Sequence, residues 1–269
     1  MRLWILSDLH LELTRGWDLP SGDARPAFDV LVVAGDLITR MERGVTWLKS
    51  RVVGQVVYVA GNHEFYGTDI DRTVEKARAA AAGSNVHVLQ NDSVILDGVT
   101  FLGCTLWTDF DLFGDAEYAM TAAGETMNDY RKIRLRNYEL RLRPKDTLKR
   151  HMESRDFIAR ELRKPKVGPR VVVTHMGPHP DCARRGFERD ISSAAYTSDC
   201  SDLIAEGAPE LWNYGHTHES RDFTVGATRI ITNSKGYGPW LPKEKHWDNP
   251  SFDPRFTVQI QAPAGGQYD

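Results

Sequence analysis

The amino-acid sequence predicts an α/β fold, and two features of the chain carry this prediction. Short apolar and β-branched runs recur along it, and each run ends in a polar residue or a turn. Helical patterns lie between several of the runs, and strands that alternate with helices are typical of α/β proteins. The 269 residues are 41% hydrophobic and 26% charged, which is close to the composition of an ordinary soluble globular protein.

Five of the runs are predicted to be buried strands, each followed directly by a polar side chain. These strands are Trp4–Leu6, Val30–Ala34, Val56–Ala60, Val171–Val173 and Leu211–Tyr214. The helical patterns cover about Arg43–Val53, Asp69–Ala82 and Ser192–Ile204. Because ligands of open α/β sheets bind outside the carboxyl ends of the strands, we expect the five polar positions to converge.

Four further segments are predicted to be strands with a structural role. Ser93–Leu96 and Val99–Leu102 are expected to pair as a hairpin around a turn at Asp97-Gly98. Thr228–Thr232 and Phe256–Ile260 are expected to be late strands of a second sheet. We therefore expect two sheets, of which one begins at the first strand of the chain.

The stretch from about Trp107 to Arg170 differs from the rest because it has no strand signal. Between Arg131 and Arg150, basic residues far outnumber the acidic ones. An amphipathic helix is predicted at Asp146–Lys164, with Asp146 at its start, Pro165 just past its end, and one apolar face formed by Leu148, Met152, Phe157, Ile158 and Leu162. We predict a single domain over residues 1–269, in which residues 107–170 form a mostly helical insertion that caps the strand ends.

Charge and cysteine content limit the classes of partner and compartment. The formal net charge is −3, which gives the whole chain no attraction for nucleic acid or an anionic membrane. Cys104, Cys182 and Cys200 are far apart and form no C-x-x-C pair, so we expect a reducing compartment. No secretory signal and no apolar run of transmembrane length is found. The expected location is the cytoplasm.

Five short motifs occur in order, each after a predicted strand. They are Asp8-Leu9-His10, Gly35-Asp36, Gly61-Asn62-His63-Glu64, Thr174-His175 and Gly215-His216-Thr217-His218. Each motif is weak alone, since a strand-end His or a Gly-Asp turn is common in proteins without a metal. Together, and in this order, they predict a metal site.

The residue types in these motifs suit two adjacent dications. Imidazole nitrogens suit Zn and Fe, whereas carboxylate and amide oxygens suit Mn, so a mixed set favours Mn, Fe or Zn. Residues at positions i and i+2 of an extended segment point the same way, so Asp8 with His10 and His216 with His218 can each supply two donors. A carboxylate has two oxygens, and one Asp can therefore bridge two ions. The glycines that precede Asp36, Asn62 and His216 allow a close approach of the backbone.

These five motifs resemble those of the calcineurin-like metallophosphoesterase superfamily. The resemblance covers both halves of the chain and omits residues 107–170, and it extends to compact bacterial members similar to class III cyclic-nucleotide phosphodiesterases. It implies two mixed β-sheets packed face to face with helices outside, a four-layer αββα sandwich. It also implies two divalent metal ions and hydrolysis of a phosphoester.

The resemblance further implies a role for each matching residue. It makes Asp8, His10 and His218 ligands of one metal, makes Asn62, His175 and His216 ligands of the other, and makes Asp36 the bridge. Within this site His63, Asp36 and Asn62 are the expected catalytic residues, and His63 would face the substrate and assist the leaving oxygen. Glu64 stands where many relatives carry Asp, and Met176 stands where many carry a second His. The nearest substitute for that second His is His179.

The expected reaction is attack on phosphorus, in line with the leaving group, by a hydroxide that both metals share. No nucleophile from the protein is needed, and the chain contains no G-x-S-x-G, Walker-type or G-x-G-x-x-G motif. The expected substrate is a small phosphodiester or phosphomonoester. Arg131 and Arg134 are proposed to contact it, because guanidinium groups suit phosphate oxygens.

Three alternatives remain open at this point. A nuclease acting on DNA or RNA could use the basic stretch between Arg131 and Arg150 to follow a phosphate backbone. A protein phosphatase or another phosphomonoesterase would use the same metal ligands, since specificity lies in the surrounding loops. A scaffold without activity is disfavoured, because every expected type of ligand is present.

Overall fold

The computed structural model describes residues 1–14, 16–240 and 246–261. Two mixed β-sheets lie face to face with helices on their outer sides, as expected from the sequence and the family resemblance. The strands are β1 (Arg2–Leu6), β2 (Val30–Ala34), β3 (Gln55–Val59), β4 (Val86–Leu89), β5 (Asp92–Leu96), β6 (Val99–Cys104), β7 (Arg134–Leu135), β8 (Leu140–Arg141), β9 (Arg170–Thr174), β10 (Leu211–Asn213), β11 (Ser220–Val225), β12 (Thr228–Asn233) and β13 (Thr257–Gln259). The helices are α1 (Met41–Arg51), α2 (Ile70–Ala81), α3 (Ala116–Thr126), α4 (Asp129–Lys132), α5 (Pro144–Arg163) and α6 (Ser201–Gly207).

Both large sheets have a parallel centre and at least one antiparallel edge strand. The first has the strand order β13-β1-β2-β3-β4, in which only β13 is antiparallel to its neighbour. The second has the order β11-β12-β10-β9-β6-β5, in which both edge strands are antiparallel. As a result, the carboxyl ends of the central strands of each sheet lie at one edge.

Side chains alternate between the two faces of each strand, as the period of two requires. Leu3 and Ile5 of β1 point between the sheets, whereas Trp4 and Leu6 point toward the outer helices. The second sheet contributes to the inner layer with Phe101, Val171, Val173, Leu211 and Ile231. Helices α1 and α2 pack on each other beside the first sheet, and α5 and α6 do the same beside the second. The strand ends are therefore held by a core on both faces of each sheet.

The strands before the five motifs and the hairpin are confirmed, each within about two residues of its predicted bounds. The hairpin turn has the backbone that two-residue hairpins need, with φ 44° at Asp97 and 78° at Gly98. The helices predicted at Arg43–Val53 and Asp69–Ala82 are α1 and α2. Strand β4 was not predicted. Among the described helices, none is both long and apolar enough to cross a bilayer.

Two predicted elements differ in the structure. The segment Phe256–Ile260 supplies β13, which pairs with β1 in the first sheet and not with the second sheet, because its apolar pattern predicts burial but not its pairing partner. The helix predicted at Ser192–Ile204 is instead a 3-10 helix at Ile191–Ala195 followed by α6. It is interrupted because the N–H groups of Ser198 and Cys200 bond to the carbonyls of Gly177 and Pro178, outside the helix.

Residues 107–170 are mostly helical, as predicted, but they also contain the short hairpin β7–β8. Helix α5 lies in the outer layer against β6 and α6. Asp146 accepts the N–H of Arg143 from the first turn of α5 and is not itself the first flanking residue. Met152, predicted to be on the apolar face, is 48% exposed. The polar side chains of His151 and Ser154 are buried on the packed face of α5.

Phe101 provides a test of the layer between the sheets, because its ring is fully buried there. We expect Phe101→Ala to lower the free energy of unfolding by about 3–5 kcal/mol in a urea titration. The matched control is Phe113→Ala, the same change at a ring that is 42% exposed. A loss at Phe113 as large as the loss at Phe101 would contradict this description of the core.

Candidate metal centre

The motif residues meet at the seam where the two sheets face each other. Asp8 follows β1, Asp36 follows β2 and Asn62 follows β3, so the first sheet supplies one side of the site. His175 follows β9 and His216 follows β10, so the second sheet supplies the other side. Each of these five residues is less than 9% exposed. The site is thus built from the carboxyl ends of strands, as the sequence predicted.

The chain turns sharply at these strand ends, and the backbone angles of the motif residues show the turn. Five of them have the left-handed φ that side chains rarely adopt, namely Asp8 (53°), His10 (45°), Asp36 (51°), His216 (70°) and His218 (53°). Such residues persist only where the surrounding structure fixes them, and they concentrate at functional sites.

The glycines of the motifs leave room that a side chain would fill. A Cβ atom at Gly61 would overlap Asp36 and His175, and one at Gly215 would overlap Ser7 and Asp8. Gly35 likewise lies against His175 and has a φ of 85°. The close approach predicted from these glycines is confirmed.

One set of donor atoms is formed by Asp8, His10, Asp36 and His218. The Nε2 atoms of His10 and His218 lie 3.1 Å apart. Asp8 Oδ1 is 3.6 Å from His218 Nε2 and 3.9 Å from His10 Nε2. Asp36 Oδ2 is 3.7 Å from His10 Nε2. Atoms that share one dication at about 2.0–2.2 Å lie roughly 3–4 Å from each other, so this set could hold one ion.

The second set is formed by Asp36, Asn62, His175 and His216. His175 Nε2 is 3.1 Å from Asn62 Oδ1 and 3.1 Å from His216 Nδ1. The same nitrogen is 3.5 Å from Asp36 Oδ1. Asp36 therefore presents one carboxylate oxygen to each set, which is the arrangement of a bridging ligand.

The protonation of the histidines tests whether a cation fits. His175 Nδ1 lies 2.8 Å from the Ala34 carbonyl, which only accepts, so Nδ1 carries the proton and Nε2 presents a lone pair. His218 Nδ1 lies 2.9 Å from Asp248 and is fixed in the same way. Burial lowers the pKa of His10 to about 4 and also lowers the pKa of His175 and His216, which favours neutral rings. The Nε2 lone pairs of His175 and His218 thus face the carboxylate oxygens of Asp36 and Asp8, and the residues present fit two cations.

The surroundings of Asp8 and Asp36 shift the pKa values of these two carboxyl groups in opposite directions. Burial opposes ionisation of Asp8, yet the histidines His175, His218 and His10 together hold its pKa well below the usual range. Burial, with the charges of Glu64 and Asp8, raises the pKa of Asp36 well above its usual value. A bound cation would remove this penalty at Asp36.

Glu64 stabilises the backbone around the donor sets but contributes no atom to either set. Its carboxylate accepts the N–H groups of Asp36, Leu37 and Gly61 at 2.7–2.9 Å, and the hydroxyl of Tyr58 at 2.7 Å. It therefore fixes the strand ends that carry Asp36 and Asn62.

Asp129, from the insertion, orients the ligand candidate Asn62. Asp129 Oδ1 accepts Asn62 Nδ2 at 2.8 Å and the Tyr66 hydroxyl at 2.7 Å. Since the amide nitrogen is used in this way, the amide oxygen must face His175 and the second donor set. Asp129 is 1% exposed, and its other oxygen has no partner among the described residues.

His63 lies beside the donor sets and pairs with Glu12. Its Nδ1 is 2.8 Å from Glu12 Oε1, and its Nε2 is 3.3 Å from the Tyr237 hydroxyl. Burial would raise the pKa of Glu12, but its contacts with His10 and His63 lower that pKa to about 2. An ionised Glu12 keeps a proton on Nδ1 of His63.

A cavity of about 460 Å³ opens onto the centre. Its wall includes Asp36, Asn62 and His63, and the insertion reaches it through the segment 126–129. The rings of Tyr196 and Tyr237 and the cation of Arg184 also line it. Tyr196 stacks on His216 with a centroid distance of 4.3 Å.

The structure brings the predicted metal and catalytic residues together, but Arg131 and Arg134 do not line this cavity. The Arg131 guanidinium donates to the carbonyl of Glu125, and Arg134 lies in the β7–β8 hairpin. Their contact with substrate, and a capping role for the insertion, stay predictions. His179 also lies off the cavity wall, where its Nδ1 accepts the N–H of Asp181.

Sequence reasoning missed Glu12, Asp129, Arg184 and Tyr237 as residues of the site. Glu12 follows His10 at the same i, i+2 spacing that paired Asp8 with His10, so that spacing could have identified it. The other three come from loops and the insertion, where no motif marks them.

The fold is that of a metallophosphoesterase, a hydrolase that acts on phosphoester bonds, and clusters of His and Asp side chains that could hold metal ions are present. The chain matches the family model described as calcineurin-like phosphoesterase over residues 1–220, and it belongs to that family. It is 26% identical over 261 residues to "Uncharacterized protein L509" of Acanthamoeba polyphaga mimivirus, covering 86% of this chain and 90% of that protein. Among solved structures, the phosphopantetheinyl hydrolase PptH from Mycobacterium tuberculosis matches with a TM-score of 0.66 at 20% identity, covering 91% of this chain and 93% of that one.

The role of Asp129 can be tested by metal binding alone. We expect Asp129→Ala to lower the metal affinity of the donor set that contains Asn62 by about 10–100-fold, because Asn62 then loses the carboxylate that orients its amide. Titration of the metal-free protein with Mn would measure this change. Asp111→Ala, at an exposed position of the same insertion, is the control. Equal affinities in both variants and the parent protein would rule out an orienting role.

Proposed function

We propose that this chain is a phosphoester hydrolase with two divalent metal ions, acting on a small phosphodiester or phosphomonoester. The observation that carries the proposal is the pair of donor sets that share Asp36, in which neighbouring nitrogen and oxygen atoms lie 3.1–3.7 Å apart. Their proposed members are the seven predicted ligands Asp8, His10, Asp36, Asn62, His175, His216 and His218. The proposed metals are Mn, Fe or Zn, to which a mixed nitrogen and oxygen set is suited.

When bound, two such ions lower the pKa of water near phosphorus and offset the charge on the phosphoryl oxygens. The protein's own contribution begins with position. Asp36 holds the two donor sets at the separation of one carboxylate, and Glu64 holds Asp36 and Asn62 through their strand ends. The cavity wall formed by Tyr196 and Tyr237 excludes water from one side of the phosphoryl group.

His63 is the proposed acid for the leaving oxygen. With Nδ1 protonated toward Glu12, a second proton on Nε2 would be directed toward the cavity that His63 lines. Transfer of the Nε2 proton to the departing oxygen would leave a neutral imidazole that remains bonded to Glu12.

A diester is the preferred substrate within this class. A second cavity, of about 630 Å³, adjoins the first, and His63 and Tyr66 line both. The two alcohol groups of a diester could therefore occupy one cavity each, on the two sides of His63. A monoester has only one alcohol group. The name of one structural neighbour, a phosphopantetheinyl hydrolase, is compatible with a phosphoester substrate for this chain.

The nuclease alternative draws less support from the structure. Several cations of the basic stretch are paired with carboxylates, as in Arg143 with Asp146, Lys149 with Glu153 and Arg150 with Asp71. Paired charges attract a phosphate backbone less than free ones do. A location in the cytoplasm stays a prediction from the sequence.

Metal removal tests the proposal directly. We expect about two dications per chain by elemental analysis, and we expect chelation to abolish hydrolysis of bis(p-nitrophenyl) phosphate until Mn is restored. Asp36→Asn should lower both metal content and activity more than His218→Asn, because only Asp36 faces both sets. Asp156→Asn, on the exposed side of α5, is the control. Full activity in protein shown to be free of metal would refute the proposal.

The acid role of His63 has a separate signature in the leaving group. We expect His63→Gln to slow hydrolysis of an alkyl phosphodiester by about 10²–10⁴-fold with unchanged metal content. The loss should be much smaller for nitrophenyl esters, whose leaving groups need little protonation. Glu12→Gln should show the same pattern with a smaller loss, and His87→Gln is the control at a histidine outside the site. An equal loss for good and poor leaving groups would exclude proton transfer by His63.

A further inference from the structure

The second cavity carries more positive charge than the catalytic cavity beside it. Among its described wall residues, Arg40, Arg43 and Lys132 are cations and Glu12 is the one acidic side chain. Glu12 is already engaged by His63 at 2.8 Å. The cavity is therefore basic on the side that faces away from the donor sets.

The three cations are available to a ligand. Each is exposed, and within the described part of the chain none of them forms an ion pair with a carboxylate. This contrasts with Arg143, Lys149 and Arg150 nearby in sequence, all of which are paired. Because these exposed cations have no carboxylate partner, an anion can bind to them without breaking an existing ion pair.

Two of the cations are fixed relative to the catalytic residues. The Arg40 backbone N–H donates to the Glu64 carbonyl at 3.0 Å, and the carboxylate of the same Glu64 holds Asp36. Lys132 Nζ lies 4.9 Å from the centre of the Tyr66 ring, and that ring lies 4.3 Å from the ring of His63. The basic cavity is thus linked to the metal centre through Glu64 on the Arg40 side and through Tyr66 on the Lys132 side.

We propose that Arg40, Arg43 and Lys132 bind a second phosphate group, carried by one of the two alcohols of the diester. This proposal rests on the proposed function, because it places the phosphodiester at the centre beside His63. An alcohol group that extends past His63 and Tyr66 reaches the cavity that these two residues share with the three cations. Guanidinium forks match phosphate oxygens in pairs, and three cations suit a dianion better than a single carboxylate. The substrate class is then a phosphodiester of which one alcohol is itself phosphorylated.

Inhibition by bisphosphates tests this site. Propanediol bisphosphate and thymidine bisphosphate would be compared with propyl phosphate and thymidine monophosphate as inhibitors of bis(p-nitrophenyl) phosphate hydrolysis by the Mn-loaded protein. We expect each bisphosphate to bind about tenfold or more tightly than its monophosphate, since charge-assisted bonds to the second group are added. A larger advantage for the thymidine pair would assign the phosphate to a nucleotide, and an equal advantage would assign it to a small phosphorylated alcohol.

Variants of the exposed cations complete the test. Arg43→Gln and Lys132→Gln should each remove most of the bisphosphate advantage while changing kcat and KM for bis(p-nitrophenyl) phosphate much less, because that diester has no second phosphate. Arg131→Gln, next to Lys132 but off the cavity wall, is the matched control and should retain the advantage. Bisphosphates that bind no more tightly than monophosphates, or an advantage that survives both variants, would overturn the proposal.

The two proposals fail in different ways. If the protein hydrolyses no phosphoester, the proposed function is wrong, but calorimetric titration with the same four compounds still reports on the basic cavity. If hydrolysis is metal-dependent and the bisphosphates have no advantage, only the second phosphate site is wrong.

Discussion

The constraint on which this structure depends is the burial of negative charge where the two sheets meet. Asp8, Asp36 and Glu64 are each at most 1% exposed, and in the described part of the chain no Lys or Arg side chain bonds to any of them. Glu64 is satisfied by three backbone N–H groups and Tyr58, and Asp8 by the His216 N–H and Ser7. Asp36 accepts one backbone N–H, from His63, and otherwise faces imidazoles on both sides, where bound cations would offset its charge. The tight turns and the glycines bring these carboxylates and the imidazoles close together, and the fixed tautomers direct imidazole lone pairs toward the site.

The sequence predicted the strand-end motifs well because each is local. A strand rich in β-branched residues, then a glycine, then a polar ligand such as Asp36 or Asn62 occurs in consecutive residues. The convergence of five such ends follows from the parallel order of the central strands, which is a general property of α/β sheets. Fold class and donor set could therefore be predicted together.

The remainder of the site could not be predicted because it depends on distant contacts. Asp129 matters only because folding brings it 2.8 Å from Asn62, which is 67 residues away in the chain. Within the basic stretch, composition could not tell which cation faces the centre: Lys132 lines a cavity there, whereas Arg131 turns back to Glu125. The pairing of β13 with β1 was missed for the same reason, since a short apolar strand can close either sheet.

The left-handed backbone at Asp8, His10, Asp36, His216 and His218 has a thermodynamic consequence. Residues held in such conformations cost of order 1–3 kcal/mol each, so these five positions store strain comparable with the whole net stability of a typical domain. A ligand that binds only the folded chain adds stability in proportion to the logarithm of its concentration. Metal ions held at the proposed centre would accordingly raise the melting temperature of this protein, and their removal would lower it.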